Sequence, residues 1–232
     1  LLSGVGPADH LASLGIPVVH HLQGVGQSLQ DHYSAPIKLR ARLPVTLNDI
    51  VNSNVGKVKA GLQYMMFRTG ALTMGVSPAA MFIRTRPELA SPDVKCSISP
   101  FSADRPQDGL HKWSGFTVIA YQLRPDSRGE IKLKTANPAD PPAMIPNYLS
   151  AEVDQRAIVA GLQCCRRVLA HPDMQHFIKS EYLPGPDVQT DDEMLDHARR
   201  MGGTVFHPTS TCKMGTDPMA VVDPALRVQL HD

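Results

Sequence analysis

Thr204-Val205-Phe206-His207-Pro208-Thr209-Ser210-Thr211-Cys212-Lys213-Met214-Gly215 is the densest run of chemical groups in the chain. Gly202-Gly203 precedes it and Asp217-Pro218 follows it. A β-prone run leads into His207, and Pro208 fixes the backbone straight after it. Histidine is the side chain that most readily exchanges a proton near neutral pH. The three hydroxyls that follow could hold a polar ligand. A zinc site needs more ligands at set spacings, and His207 to Cys212 is not one of those spacings. A serine or cysteine nucleophile would want an elbow such as G-x-S-x-G, which is absent. On residue types alone, a base at a bound ligand and an ordinary loop histidine both stay open.

Moving outward, Thr190-x-x-Glu193 predicts a capping box and a last helix to about Met201, with His197 on its surface. Ser150 can cap a long helix to about Ala170. Its wide apolar stripe (Ala157, Gly161, Cys164 and Val168, with Ile158, Leu162, Cys165 and Leu169) predicts burial, with Cys164 and Cys165 as packing residues. Val94–Ser99, Phe116–Arg124 and Glu130–Thr135 read as strands. Arg124-Pro125-Asp126-Ser127-Arg128-Gly129 between the last two predicts an antiparallel hairpin, and Pro138–Pro146 predicts loop. Asn48 to Arg68 predicts one helix, capped by Asn48 and stopped near Gly70. Its stripe of Val51, Val55, Val58, Leu62 and Met65 predicts a core-facing surface.

Near the start, Pro7 suits the first position of a short helix and Gly15 its stop. His20-His21 reads as a solvated loop. Gly4-x-Gly6 and Gly24-x-Gly26 both lack the third glycine of a dinucleotide fingerprint, so each reads as a tight turn. Asp31-His32 beside the second turn could lie near a cofactor.

The 232 residues allow one large domain or two small ones. A net charge of +1 without long charge runs argues against nucleic acid or an anionic membrane as the main business of the whole chain. No apolar run is long enough for a transmembrane segment. Four cysteines without a C-x-x-C pair fit free thiols in a reducing, cytoplasmic compartment. The ends at Leu1 and Asp232 suggest a piece of a longer polypeptide.

The segment from Phe206 to Gly215, followed by Asp217-Pro218-Met219-Ala220-Val221-Val222-Asp223-Pro224, closely resembles the active-site segment of glucose–methanol–choline (GMC) flavoprotein oxidoreductases. Four other stretches resemble landmarks of that family in the right order. They are Leu2-Ser3-Gly4-Val5-Gly6-Pro7, Val25 to His32, Arg124-Pro125-x-Ser127-Arg128-Gly129, and Pro146-Asn147-Tyr148-Leu149. The branch it is most similar to is that of choline dehydrogenases and related bacterial alcohol dehydrogenases.

The resemblance implies an α+β fold. A mainly antiparallel sheet with helices on one side would form the substrate-binding domain over residues 34–200. Residues 1–33 would be a segment of a Rossmann-like FAD-binding domain, and residues 201–232 would return to it. FAD is the implied cofactor and a small-molecule alcohol the implied substrate. His207 is the implied catalytic proton acceptor as hydride passes from the carbinol carbon to flavin N5. Pro208, Thr209 and Ser210 would help hold that loop near the cofactor. Oxygen, a quinone or a soluble carrier all suit as electron acceptor, and membrane association of the longer protein stays open. The family's N-terminal FAD fingerprint and its second catalytic position do not occur between Leu1 and Asp232. That departure keeps a rival expectation alive: a catalytically inactive substrate-domain or partner subunit that does not bind FAD alone.

Overall fold

The computed structural model describes residues 1–105 and 108–229. In chain order its first elements are β1 (Val5–Gly6), α1 (Ala8–Ser13), β2 (His20–His21) and β3 (Tyr33–Ala41). Next come α2 (Leu47–Val51), α3 (Asn54–Phe67), a 3-10 turn (Ala71–Thr73), β4 (Ala79–Ile83), β5 (Val94–Ser99) and β6 (Gly115–Gln122). The remainder includes β7 (Glu130–Lys132), β8 (Ala143–Ile145), α4 (Glu152–Leu169), α5 (Pro172–Gln175), β9 (Ile178–Leu183) and α6 (Asp191–Met201). The chain divides into two compact units. The first gathers Leu1–Tyr33, Arg124–Asp154 and Thr204–Asp232, and the second Ser34–Leu123 and Gln155–Gly203.

The second unit is built on an antiparallel sheet in which β4, β5, β6 and β3 lie in that order, with β9 also paired to β3. Its central strands are buried along much of their length, and their inner residues include Ile37, Leu39, Val94, Cys96 and Ala120. Helix α4 covers them with Ile158, Leu162 and Cys165, each almost fully buried. Burying each large aliphatic side chain is worth about 1.5–3 kcal/mol. The helix sits close because Gly161 has no side chain: a Cβ there would lie 2.9 Å from Val94 Cγ1 and 3.0 Å from Ala120 Cβ. The predicted burial of the stripe and the packing role of Cys165 agree with this, although Val168 on the same stripe is exposed. Arg166 fixes β9 through a two-pronged bond to Glu181 and bonds to the carbonyls of Val188 and Gly185.

Helix α6 starts at the predicted capping box, with Thr190 and Glu193 bonding each other's backbone N–H groups. His197 is not on its surface. It is 1% exposed, and its Nε2 donates to the Pro36 carbonyl at 2.7 Å. The helical period was right, but the ring's bond to β3 turned that face inward.

The single helix expected over Asn48–Arg68 is two helices, broken at Asn52-Ser53. Asn48 is no cap. It is fully buried, and its amide donates to the carbonyls of Ser102 and His111 and accepts from Ser102 N. Thr46 caps α2 instead, and Ser53 caps α3 by accepting from Gly56 N. The apolar stripe is on the outside. Val51, Val55, Val58, Leu62 and Met65 are all exposed, whereas Ala60 is buried and Gly56 and Tyr64 are half-buried. Small residues at i and i+4 let that opposite side approach its neighbours, so the larger apolar side chains were left facing out.

The hairpin expected around Arg124–Gly129 does not form. Strand β6 pairs with β3 and β5, and β7 pairs with β8, which lies inside the segment expected to be loop. His20-His21 is likewise not a free loop but a strand paired in parallel with Val5-Gly6. His21 Nδ1 accepts from Ala8 N at the start of α1.

Two outcomes follow for stability. Gly161→Leu should lower it by about 1–3 kcal/mol in urea titration, because the added atoms meet β5 and β6 at once. Burial is the largest effect on His197 and holds its pKa below the ordinary value, against the bond to Pro36. The unfolded chain therefore takes up that proton first, so stability falls as pH drops through about 6.5 until the folded ring also protonates. His197→Gln should weaken this acid-side loss in urea midpoints taken across that range.

Candidate active site

His207 lies in the first unit, and the structure shows what holds it there. Its backbone N–H donates to Asp31 Oδ1 at 2.9 Å. The other oxygen, Asp31 Oδ2, accepts from Tyr148 Oη and from Thr204 Oγ1, each at 2.5 Å. Asp31 is buried, at 8% exposure. Burial is the largest single effect on its carboxyl and pushes its pKa up. The bonds from Thr204, Tyr148 and the backbones of His207 and His32 outweigh it, so Asp31 titrates below its ordinary value and is held as the anion. The Tyr148 phenol is pushed up to about 12, first by burial and then by its bond to Asp31. It stays protonated and donating.

The backbone around these side chains is tightly specified. Phe206 and Ser210 both adopt positive φ (61° and 75°), bracketing His207-Pro208-Thr209. Asn147 and Leu149 do the same on either side of Tyr148 (55° and 56°). Left-handed conformations are unfavourable for such residues and persist only where surroundings impose them. Here the surroundings are a ladder: Val205 N donates to His32 O, Gln30 and Thr209 exchange both backbone bonds, and Gly26 N donates to Thr211 O. The segment at His207 is thus strapped along residues 26–32.

The ring of His207 is exposed. Its Nδ1 lies 3.4 Å from His32 Nδ1, with the rings edge-to-face at 5.5 Å between centroids. Only one of two facing Nδ1 atoms can carry the hydrogen in the neutral pair. When His207 is the donor, its Nε2 is left bare and able to accept a proton. Pro208 and Thr209 are exposed beside it, Ser210 is half-buried, and Phe206 is 81% exposed. The sequence singled out His207, Pro208, Thr209 and Ser210 as one run, and Asp31-His32 as a candidate by position. It did not show Tyr148 and Thr204 as partners of Asp31. The signal available was Tyr148 at the centre of the Pro146-Asn147-Tyr148-Leu149 landmark.

The third landmark is anchored in the same unit. Asp154, 1% exposed, accepts from Asp126 N and Ser127 N at 2.9 and 2.7 Å. Gln30 Nε2 donates to Pro125 O, and Leu29 and Gly129 exchange backbone bonds. These attachments explain why Arg124–Gly129 does not close a hairpin. The glycine turns are also filled from within. A Cβ on Gly4 would meet Pro17 O at 2.4 Å, on Gly24 Met219 O at 2.0 Å, and on Gly26 Ile131 O at 2.3 Å. These glycines admit the chain's own carbonyls, so they are not a phosphate cradle.

A second constellation, in the other unit, has hydrolase-like composition. Ser102 Oγ is 3.0 Å from His111 Nδ1, and His111 Nε2 is 3.1 Å from Asp104 Oδ1. Ser102 is wholly buried, closed off from solvent. Together with Asn48 it pins the loop after β5.

The model of the GMC oxidoreductase family matches residues 125–232. The chain is 37% identical to an alcohol dehydrogenase [acceptor] of Pseudomonas putida, over 99% of this chain and 42% of that protein. It is also 37% identical to an oxygen-dependent choline dehydrogenase of Pseudomonas fluorescens (strain SBW25), over 97% of this chain and 40% of that protein. Among solved structures, a mutant of Aspergillus oryzae RIB40 formate oxidase studied for FAD modification superposes with a TM-score of 0.85. That match has 24% identity and covers 98% of this chain and 44% of the other. The chain therefore spans about two-fifths of the length of these curated relatives. Among the described residues no helix is long and apolar enough to cross a membrane.

Asp31→Asn should destabilise the protein by about 1–3 kcal/mol, because the new amide turns an N–H group toward a donor that now points at a carboxylate oxygen. The carboxylate's contribution should be complete above about pH 4 and fade as pH falls through the lowered folded value. Urea midpoints of both forms at pH 7 and on acidification measure this.

Proposed function

We propose that this chain forms part of an FAD-dependent oxidoreductase acting on CH–OH groups, oxidising an alcohol to an aldehyde or ketone with His207 as proton acceptor. The observation that carries the reading is the mounting of His207: a backbone locked to a buried carboxylate and a ring left exposed beside His32. An exposed imidazole on a fixed backbone can meet a hydroxyl at a reproducible position. Taking the hydroxyl proton onto Nε2 leaves an alkoxide, which gives up hydride far more readily than the alcohol does. FAD, when bound, would supply the acceptor for that hydride. Pro208, Thr209 and Ser210 would border it, with the Phe206 ring as an apolar neighbour. In this scheme residues 1–33 and 201–232 serve the flavin side, and residues 34–200 form the substrate-binding domain. The names of the relatives favour a choline-like or simple alcohol substrate.

The glycine turns filled by the chain's own carbonyls favour a second reading of the chain by itself: a unit that does not hold FAD alone and acts as partner or substrate domain. An absorbance spectrum of the purified chain separates the two. Flavin bands near one equivalent exclude the second reading, and a colourless protein supports it.

In a polypeptide of the relatives' full length, His207→Ala should slow alcohol-driven flavin bleaching about 10²–10⁴-fold, followed anaerobically by stopped flow. An unchanged rate would remove His207 from the chemistry. His32→Ala should act more weakly and shift the pH profile of the same step, because it changes the tautomer partner and not the base.

A further inference from the structure

The second unit holds a small apolar cavity between its sheet and the helices packed on it. The cavity has a volume of about 250 Å³. Met81 of β4, Cys96 and Ile98 of β5, Val118 of β6, and Cys165 and Leu169 of α4 are among the residues that line it. Two thiols thus border one space, from elements far apart in the sequence. Each is only 1% exposed, and neither has a part in the scheme at His207.

The two are in hydrogen-bond contact, with the Cys165 thiol donating to Cys96 Sγ. Cys96 Sγ also lies 3.8 Å from the carbonyl oxygen of Gly161, one turn earlier on α4. The contact follows from the close seat of the helix. Gly161, with no Cβ, lets α4 settle against Val94 and Ala120, and Ala120 is the residue paired with Cys96 across β5 and β6. The bond from Cys165 favours the Cys96 thiolate and lowers its pKa, against the effect of burial. Giving that bond, together with burial, raises the pKa of Cys165. One thiol of the pair is made the better nucleophile and the other is kept protonated.

The surroundings decide what such a pair can become. Among the described residues that line the cavity none is charged. A monovalent soft metal ion held by two thiolates would leave a net negative charge there without compensation, which is costly. A disulfide is neutral and removes two polar S–H groups, so the same lining favours it. Hydrogen peroxide is neutral and little larger than water, which occupies about 30 Å³ in the liquid, so the cavity has room for it. The other two cysteines are placed differently. Cys164 is the chain neighbour of Cys165 and is not among the residues at the cavity, and Cys212 is exposed in the first unit.

We propose that Cys96 and Cys165 are an oxidation site for hydrogen peroxide, at which a disulfide forms and fastens β5 to α4. The Cys96 thiolate attacks one peroxide oxygen, the O–O bond breaks, and the departing hydroxide takes up a proton as water. Cys96 is then a sulfenic acid. The sulfur of Cys165 attacks the sulfur of Cys96, the S–S bond forms and the S–O bond breaks, and the hydroxyl leaves with the Cys165 proton as a second water. Two thiols and one peroxide give one disulfide and two waters, and the two electrons lost by sulfur reduce the O–O bond. His207 takes no part, so the proposal stands apart from the functional reading above.

Thiol mapping tests it. Cys164→Ser with Cys212→Ser leaves only the two cavity thiols. This protein, reduced and then freed of reductant, is treated with excess hydrogen peroxide while folded, and remaining thiols are alkylated after denaturation. Peptide mass mapping should show Cys96 joined to Cys165 with no free thiol left, and dithiothreitol should restore both. Adding Cys165→Ser should stop the reaction at the sulfenic acid, trapped on Cys96 by dimedone. With Cys96→Ser added instead, Cys165 should react at least about tenfold more slowly. Circular dichroism of each variant checks that the fold is kept, and the parent chain with all four cysteines should give the same cross-link. Two free thiols after treatment of the folded protein, or a cross-link that forms only in urea, overturns the proposal. So does a parent chain that joins Cys164 or Cys212 in place of this pair, or a Cys165 that reacts as fast without Cys96.

Discussion

A single buried carboxylate ties together the segments of the first unit that surround His207. Asp31 receives Tyr148 from one landmark, Thr204 from just before another and the backbone of His207 itself. An isolated carboxylate at that depth would be costly, and would neutralise itself by taking up a proton. Multiple donors reverse that balance, and the anion becomes a fixed centre of negative charge around which the donors orient. The positive φ values at Phe206, Ser210, Asn147 and Leu149 are tolerable because this arrangement leaves those segments little alternative. The exposed ring of His207 is the visible product of an anchor that is itself out of sight.

Elements whose signals are local were legible in the sequence. The capping box at Thr190 and Glu193 needs only four residues to specify, and β5 has the predicted limits Val94–Ser99. The wide stripe on α4 showed burial because Ile158, Leu162, Cys165 and Leu169 fall on one face of the helix. What failed was information that sits on a partner element. Helical period located the stripe of α3, but Gly56 and Ala60, not Val55 and Val58, were the residues that could come close to neighbours. His197 reads as polar until Pro36 offers its carbonyl. The turn chemistry at Arg124–Gly129 was real, yet Asp154 and Gln30 compete for its backbone groups and win.

The candidate site was legible as a line and not as a network. His207 to Ser210 are contiguous, so one motif could present them together. Asp31 stands 173 residues from Thr204 and 117 from Tyr148, separations across which no spacing rule operates. Ordered landmarks supplied what spacing could not. Every stretch quoted for the family resemblance falls in the first compact unit, although those stretches are distributed from Leu2 to Pro224.

That distribution sets a schedule for synthesis. The chain passes from one unit to the other after Tyr33, Leu123, Asp154 and Gly203. Asp31 precedes Thr204 by 173 residues and His207 by 176. At about 5–20 residues per second, that is a wait of roughly 10–30 seconds with a core half-built. Through that interval the second unit can gather β3 to β6 while residues 26–32 still lack their bonds to Val205, Thr209 and Thr211 and Asp31 lacks those of Thr204 and His207. The strap that carries His207 thus follows the whole of the second unit, and the first unit cannot close before that segment has arrived.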